Sequence, residues 1–96
     1  VNLTDEVKLL KARALERAGN YQQARKLLAD LPDDYRSSAL KGVVEYRLGY
    51  IEESKRYSEV ALSGPLEEQA EATNTLGHIE RFRGNYIESS NYFKRA

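Results

Sequence analysis

GVVEYRLGYIEESKRYSEVA occupies residues 42–61 of this chain, and GHIERFRGNYIESSNYFKRA occupies residues 77–96. The two stretches are identical at seven positions, always at an offset of 35 residues: Gly42/Gly77, Glu45/Glu80, Gly49/Gly84, Glu53/Glu88, Ser54/Ser89, Tyr57/Tyr92 and Ala61/Ala96. A third, weaker copy lies upstream, where Gly19-Asn20-Tyr21 repeats the sequence of Gly84-Asn85-Tyr86. A repeat period of this length predicts stacked supersecondary units. We therefore expect three copies of one unit.

Each unit has the pattern of two helices joined by a turn centred on glycine. In the middle unit, apolar and small residues recur at helical spacing on both sides of Gly49, at Leu40, Val43, Val44, Leu48, Ile51, Ser54, Tyr57 and Ala61. Capping residues mark the unit boundaries, at Thr4, Pro32-Asp33-Asp34 and Ser63-Gly64-Pro65. The sequence predicts six helices, at about residues 5–18, 21–30, 34–48, 51–62, 66–83 and 86–96.

Two glycines, Gly42 and Gly77, lie inside predicted helices. Each should cost about 1 kcal/mol relative to alanine. A helix crossing too close for a side chain would offset that cost. We predict such a crossing within each unit, with the small residues Ser54 and Ser89 on the opposing helices.

Composition limits the classes of function. The chain has 96 residues, with 15 basic and 15 acidic side chains and no cysteine. Zero formal net charge provides no field for a polyanion or an anionic membrane, so we expect neither nucleic acid nor membrane as a partner. With no targeting or membrane-spanning segment in the sequence, we expect a cytoplasmic protein. Because the chain lacks methionine and stops within a strong pattern, we expect one domain, residues 1–96, from a longer protein.

Catalytic groups are scarce. The paired carboxylates Glu52-Glu53, Glu67-Glu68 and Asp33-Asp34 are adjacent in sequence, so on a helix they point in different directions and cannot share a proton-transfer site. His78 is the only histidine, which excludes a histidine pair for a metal and a Cys-His nucleophile within the chain. We expect no enzyme activity, metal or cofactor.

The repeat resembles that of the tetratricopeptide repeat (TPR) family. The matching residues of the last unit are Leu76-Gly77, Gly84-Asn85-Tyr86, Ser89, Phe93 and Ala96. The middle unit has Lys41 where the family has leucine, and the position of an early large aromatic is filled by Lys8, Ser38 and Thr73. The resemblance implies an all-α, right-handed helical-hairpin solenoid of three helix-turn-helix repeats, at about residues 4–32, 33–64 and 65–96.

In this family the first helices of the repeats line a concave groove. The groove positions correspond here to Arg13, Arg17, Val43, Tyr46, Arg47, Asn74, His78 and Arg81. They imply a mildly basic groove with an apolar floor, suited to a protein segment with carboxylates around apolar anchors. Alternatively, the arginines are solvated and paired with Glu16, Glu45 and Glu80. The positions at which one subclass clamps a terminal carboxylate hold Leu9, Arg13, Leu40, Glu71 and Thr75, so that function is not expected.

Two functions remain open. The first is a scaffold that binds a peptide or protein segment in the concave groove. The second is a structural or self-associating segment of a longer repeat array, which contacts itself through an uncapped C-terminal helix. The turn Arg83-Gly84-Asn85-Tyr86 resembles turns in arrays of bacterial regulatory proteins.

Overall fold

The computed structural model describes residues 3–82, which form five α-helices and no strand. The helices are α1 (Leu3–Arg17), α2 (Tyr21–Ala29), α3 (Tyr35–Leu48), α4 (Ile51–Leu62) and α5 (Leu66–Phe82). The prediction of an all-helical chain is thereby confirmed for this part of the sequence, with the helix ends within two residues of those expected. The predicted helix over residues 86–96 lies outside the described residues.

Local sequence accounts for the ends of α3. The Asp34 side chain accepts a hydrogen bond of 2.9 Å from the backbone N–H of Ser37, as expected of an N-cap. At the other end, Gly49 has φ of 91°, the left-handed conformation that suits glycine. The capping role predicted for Thr4 is wrong, because Thr4 already lies inside α1, which begins at Leu3, whereas an N-cap residue has a non-helical backbone.

The helices form two short-linked pairs, of which the second, α3 and α4, packs onto α5. Residues 18–20 join α1 to α2, residues 49–50 join α3 to α4, and the members of each pair are in contact. Further contacts join α2 to α3, α1 to α3, α3 to α5 and α4 to α5. The helices α2 and α4 both pack on α3 but not on each other. One core cluster consists of Ala12, Ala24, Leu28, Leu31, Leu40 and Val44, and a second of Ala39, Ala61 and Ala72.

The close crossing predicted at Gly42 is present between α3 and α4. The Ser54 hydroxyl donates a 2.6 Å hydrogen bond to the Gly42 carbonyl. A Cβ atom at Gly42 would lie 2.6 Å from Oγ of Ser58 and 3.4 Å from the carbonyl oxygen of Ser54. The sequence therefore identified one of the two serines opposite this glycine. Gly77 is buried, and its predicted partner Ser89 lies outside the described residues.

Lys41 is buried at the junction of α2 and α3. Its Nζ donates to the carbonyl oxygen of Leu31 at 2.9 Å and to Oδ1 of Asp33 at 2.5 Å. The same ammonium lies 5.5 Å from the ring centroid of Tyr57. Burial of this lysine is therefore offset by an acceptor, a carboxylate and an aromatic face.

Candidate functional site

The eight predicted groove residues lie on three helices. Arg13 and Arg17 are on α1, Val43, Tyr46 and Arg47 on α3, and Asn74, His78 and Arg81 on α5. The side chains of Arg17, Arg47, Asn74 and Arg81 are exposed, whereas Arg13, Val43, Tyr46 and His78 are half-buried. We call this set the groove residues.

Tyr46 and His78 bring α3 and α5 together. Their rings are stacked, with centroids 5.9 Å apart and planes at 28°. Burial lowers the pKa of His78 below its usual value near 6.5, and the positive charges of Arg47 and Arg81 lower it further. These four residues therefore form one cluster, in which a neutral imidazole stacks on a phenol and two arginines are close enough to influence it. Within residues 3–82, no carboxylate lies within ion-pair distance of Arg47 or Arg81.

Arg13 joins α1 to α5 by an ion pair. Its two terminal nitrogens donate to the two carboxylate oxygens of Glu71 at 2.6 and 2.9 Å, and Glu16 lies 3.8 Å away. The hydrogen bonds to Glu71 raise the pKa of Arg13. Sequence reasoning did not identify Glu71 as a contact of Arg13, because the residues are 58 positions apart and no periodicity connects them.

A recess of about 300 Å³ lies beside this ion pair, between α1 and α5. It is lined by Leu9, Leu10, Arg13, Arg17, Arg36, Glu67, Glu68 and Glu71. Three arginines and three glutamates thus balance each other here, which differs from the mildly basic character expected from Arg13 and Arg17 alone. The groove residues consequently fall into a charge-balanced end near α1 and a basic, aromatic end around Tyr46 and His78.

The alternative pairing of the arginines is partly correct. Arg13 does contact Glu16, at 3.8 Å. Glu45, however, accepts a 2.7 Å hydrogen bond from Nε of Arg25 on α2 and is not the partner of Arg47. Arg25 was not singled out from the sequence. The sequence signal that pointed to Glu45 was its recurrence as Glu80 in the next repeat. In the structure both glutamates are 5% exposed, and a buried acid needs a partner.

Metal sites and membrane-spanning helices were also considered for the described part of the chain. Across residues 3–82, no group of three or more histidine, cysteine, aspartate or glutamate side chains could hold a metal ion. None of the helices described there combines the length and apolar character needed to cross a membrane. No protein-family model matches the chain, and no curated protein or solved structure matches it either.

Proposed function

We propose that this chain is a TPR-like helical-hairpin scaffold that binds a protein segment across the cluster of Tyr46, Arg47, His78 and Arg81. The helix contacts support the repeat arrangement, because the first short-linked pair packs on the second, the second packs on α5, and α3 contacts both α1 and α5. The absence of cysteine agrees with a cytoplasmic location, which we also propose.

The stack of Tyr46 on His78 carries this proposal. Two residues from different helices present adjacent aromatic rings that are only half-buried. Aromatic and arginine side chains dominate the affinity of protein interfaces because they combine a large contact area with polar recognition. Half-buried rings at a helix junction supply such an anchor point.

The charges around the stack define the segment that it would bind. Arg47 and Arg81 have no carboxylate partner among residues 3–82, and the half-buried side chain of Val43 precedes Tyr46 by one helical turn on α3. A segment with an apolar or aromatic anchor and one or two flanking carboxylates would complement this cluster.

The test is selection of binding peptides from a random display library with the full chain. Affinities of selected peptides are then measured by fluorescence anisotropy for the parent and for a Tyr46→Ala/Arg47→Glu variant. Loss of a central aromatic anchor costs about 2 kcal/mol at an interface, so we expect affinity to fall at least about thirtyfold.

The control variant is Val60→Ala/Glu59→Arg on the exposed surface of α4, which also truncates one apolar side chain and inverts one charge. Circular dichroism must show all three proteins to be equally helical. The proposal fails if no peptide is enriched, or if the groove variant and the control variant bind selected peptides as tightly as the parent.

A second candidate is self-association, favoured by exposed apolar side chains on α1 and α5. Val7 and Leu10 of α1 are 43% and 64% exposed, and Leu66 at the start of α5 is 79% exposed. Sedimentation velocity between about 10 and 500 μM would test it, because interfaces of moderate affinity dissociate within this range. A mass that rises with concentration and returns to the monomer value with Leu10→Ser/Leu66→Ser would support this role, and a monomer throughout would exclude it.

A further inference from the structure

A second cleft lies on the other side of α3 from the groove residues. It has a volume of about 630 Å³, with α2 and α4 as its walls and residues of α3 as part of its floor. On a helix with about 100° between successive residues, Lys41 and Glu45 face away from Val43, Tyr46 and Arg47. The cleft exists because α2 and α4 both pack on α3 without packing on each other.

The floor of the cleft contains a carboxylate oxygen without a hydrogen-bond donor. Glu45 is 5% exposed, and its Oε1 accepts the bond from Arg25 described above. Its Oε2 is buried and receives no hydrogen bond from the described residues. A buried acceptor without a donor is costly, and more so when it belongs to a charged group. A donor brought by a ligand would remove that cost.

The walls carry an excess of positive charge. The lining side chains include four cations and three carboxylates. Arg25 is paired with Glu45, and Lys41 is paired with Asp33. Lys26 on α2 and Arg56 on α4 are exposed and have no carboxylate partner among residues 3–82. A cationic ligand would be repelled by this set, so a donor for Glu45 has to come from a neutral N–H or O–H group.

The dimensions of the cleft fit a short piece of extended chain. Its α2 wall runs from Gln22 to Ala29, which at about 1.5 Å per residue is a length of about 10 Å. An extended chain advances by about 3.3 Å per residue, so three residues match this wall. Arg25, whose side chain is 44% exposed, lines the same cleft as Glu45.

We propose that the cleft between α2 and α4 binds a short acidic segment of a partner protein. One carboxylate of the segment lies between Lys26 and Arg56, and a neighbouring amide N–H donates to Oε2 of Glu45. This site is separate from the groove residues and does not depend on their function.

The test uses the full chain labelled with ¹⁵N and two capped tripeptides of equal size. Acetyl-Asn-Glu-Gly-amide carries a carboxylate and amide donors, whereas acetyl-Asn-Gln-Gly-amide lacks the charge. We expect the acidic peptide to shift amide signals of residues 22–29 and 53–57, with an affinity at least about fivefold higher than that of the neutral peptide. The signals of Tyr46 and His78 should not move.

Variants assign the contacts. Lys26→Gln and Arg56→Gln change exposed side chains, so the fold is retained, and each should weaken the acidic peptide about two- to fivefold. Glu45→Gln should weaken the neutral peptide, because an amide oxygen is a weaker acceptor than a carboxylate oxygen. Lys11→Gln, an exposed lysine of α1 outside the cleft, should have no effect.

The proposal is overturned if the acidic peptide shifts no signals of α2 and α4, if the neutral peptide binds equally well, or if the Lys26 and Arg56 variants bind like the parent. If Glu45→Gln leaves binding of the neutral peptide unchanged, the proposed hydrogen bond from the peptide N–H to Oε2 of Glu45 is wrong. A Tyr46→Ala variant separates the two sites, because it should weaken binding of the display-selected peptides and leave the tripeptide titration unchanged.

Discussion

Replacement of Gly42 by alanine tests the crossing of α3 and α4. The effect of this substitution on stability should depend on the hydroxyl group of Ser58, which lies at the crossing. In a helix, alanine is more favourable than glycine by about 1 kcal/mol. Here, however, the new methyl group would lie 2.6 Å from Oγ of Ser58. Overpacking of this kind costs about 1 to 3 kcal/mol. Gly42→Ala should therefore lower the free energy of unfolding by about 0 to 2 kcal/mol, against the direction of helix propensity.

The effect of Gly42→Ala on the free energy of unfolding should change sign when Ser58 is replaced by alanine. Oγ of Ser58 is buried and has no hydrogen-bond partner among the described residues, so Ser58→Ala alone removes an unsatisfied group and should be neutral or stabilising. Without this oxygen, the nearest neighbours of the Gly42 methyl group are the Ser54 carbonyl oxygen and the nitrogen of residue 58, both at 3.4 Å. In that background Gly42→Ala should stabilise by up to about 1 kcal/mol.

Urea and thermal unfolding of the four proteins, followed by circular dichroism at 222 nm, completes the double-mutant cycle. The expected coupling is about 1 to 2 kcal/mol, and each kcal/mol corresponds to a change of about 4 to 8 °C in Tm for a domain of this size. Equal effects of Gly42→Ala in the two backgrounds would refute the assigned crossing.

Three further predictions concern an ion pair, a turn and a histidine. Glu71→Gln should cost about 0.5 to 1.5 kcal/mol of unfolding free energy in low salt and less in 1 M NaCl, because it weakens the partly exposed pair with Arg13; an effect independent of salt would contradict this. Gly49→Ala should cost about 1 to 2 kcal/mol in urea unfolding, because φ is 91° there, and a neutral result would refute the left-handed turn. The pKa of His78 is lowered by burial and by Arg47, so the folded state disfavours its charged form, and stability should decrease as pH falls from about 6.5 through the folded-state pKa. Acidic peptides bound beside His78 would raise that pKa, so their affinity should increase over the same fall in pH, whereas His78→Gln should abolish both dependences.

The sequence allowed good prediction of the helices and of one contact between them. The helix ends followed from glycine, proline and capping residues, whose effects act within a few residues. The prediction at Thr4 was wrong because capping residues place a helix start only to within a few residues. The crossing at Gly42 was predictable because an interior helical glycine is costly and requires a compensating close contact.

The candidate sites were less predictable. The groove residues were assigned by resemblance, yet the contact of Tyr46 with His78 depends on the relative position of α3 and α5. Neither Glu71 as the partner of Arg13 nor Arg25 as the partner of Glu45 follows a helical or repeat spacing. A charged side chain on a helix surface can form an ion pair with any of several oppositely charged residues, so the sequence pattern does not identify its partner.

Sequence by itself determined that residues 3–82 contain five helices, where these helices end to within two residues, and which face of each helix is apolar. These properties depend on backbone conformation and on contacts within one or two helical turns. Only the tertiary structure decided that α1 is tied to α5 by an ion pair, that Tyr46 stacks on His78, and that α2 and α4 leave a cleft over Glu45. The reason is physical: a hydrophobic period specifies which side of a helix is buried, whereas the partner of each polar side chain is set by the distances and angles between whole helices.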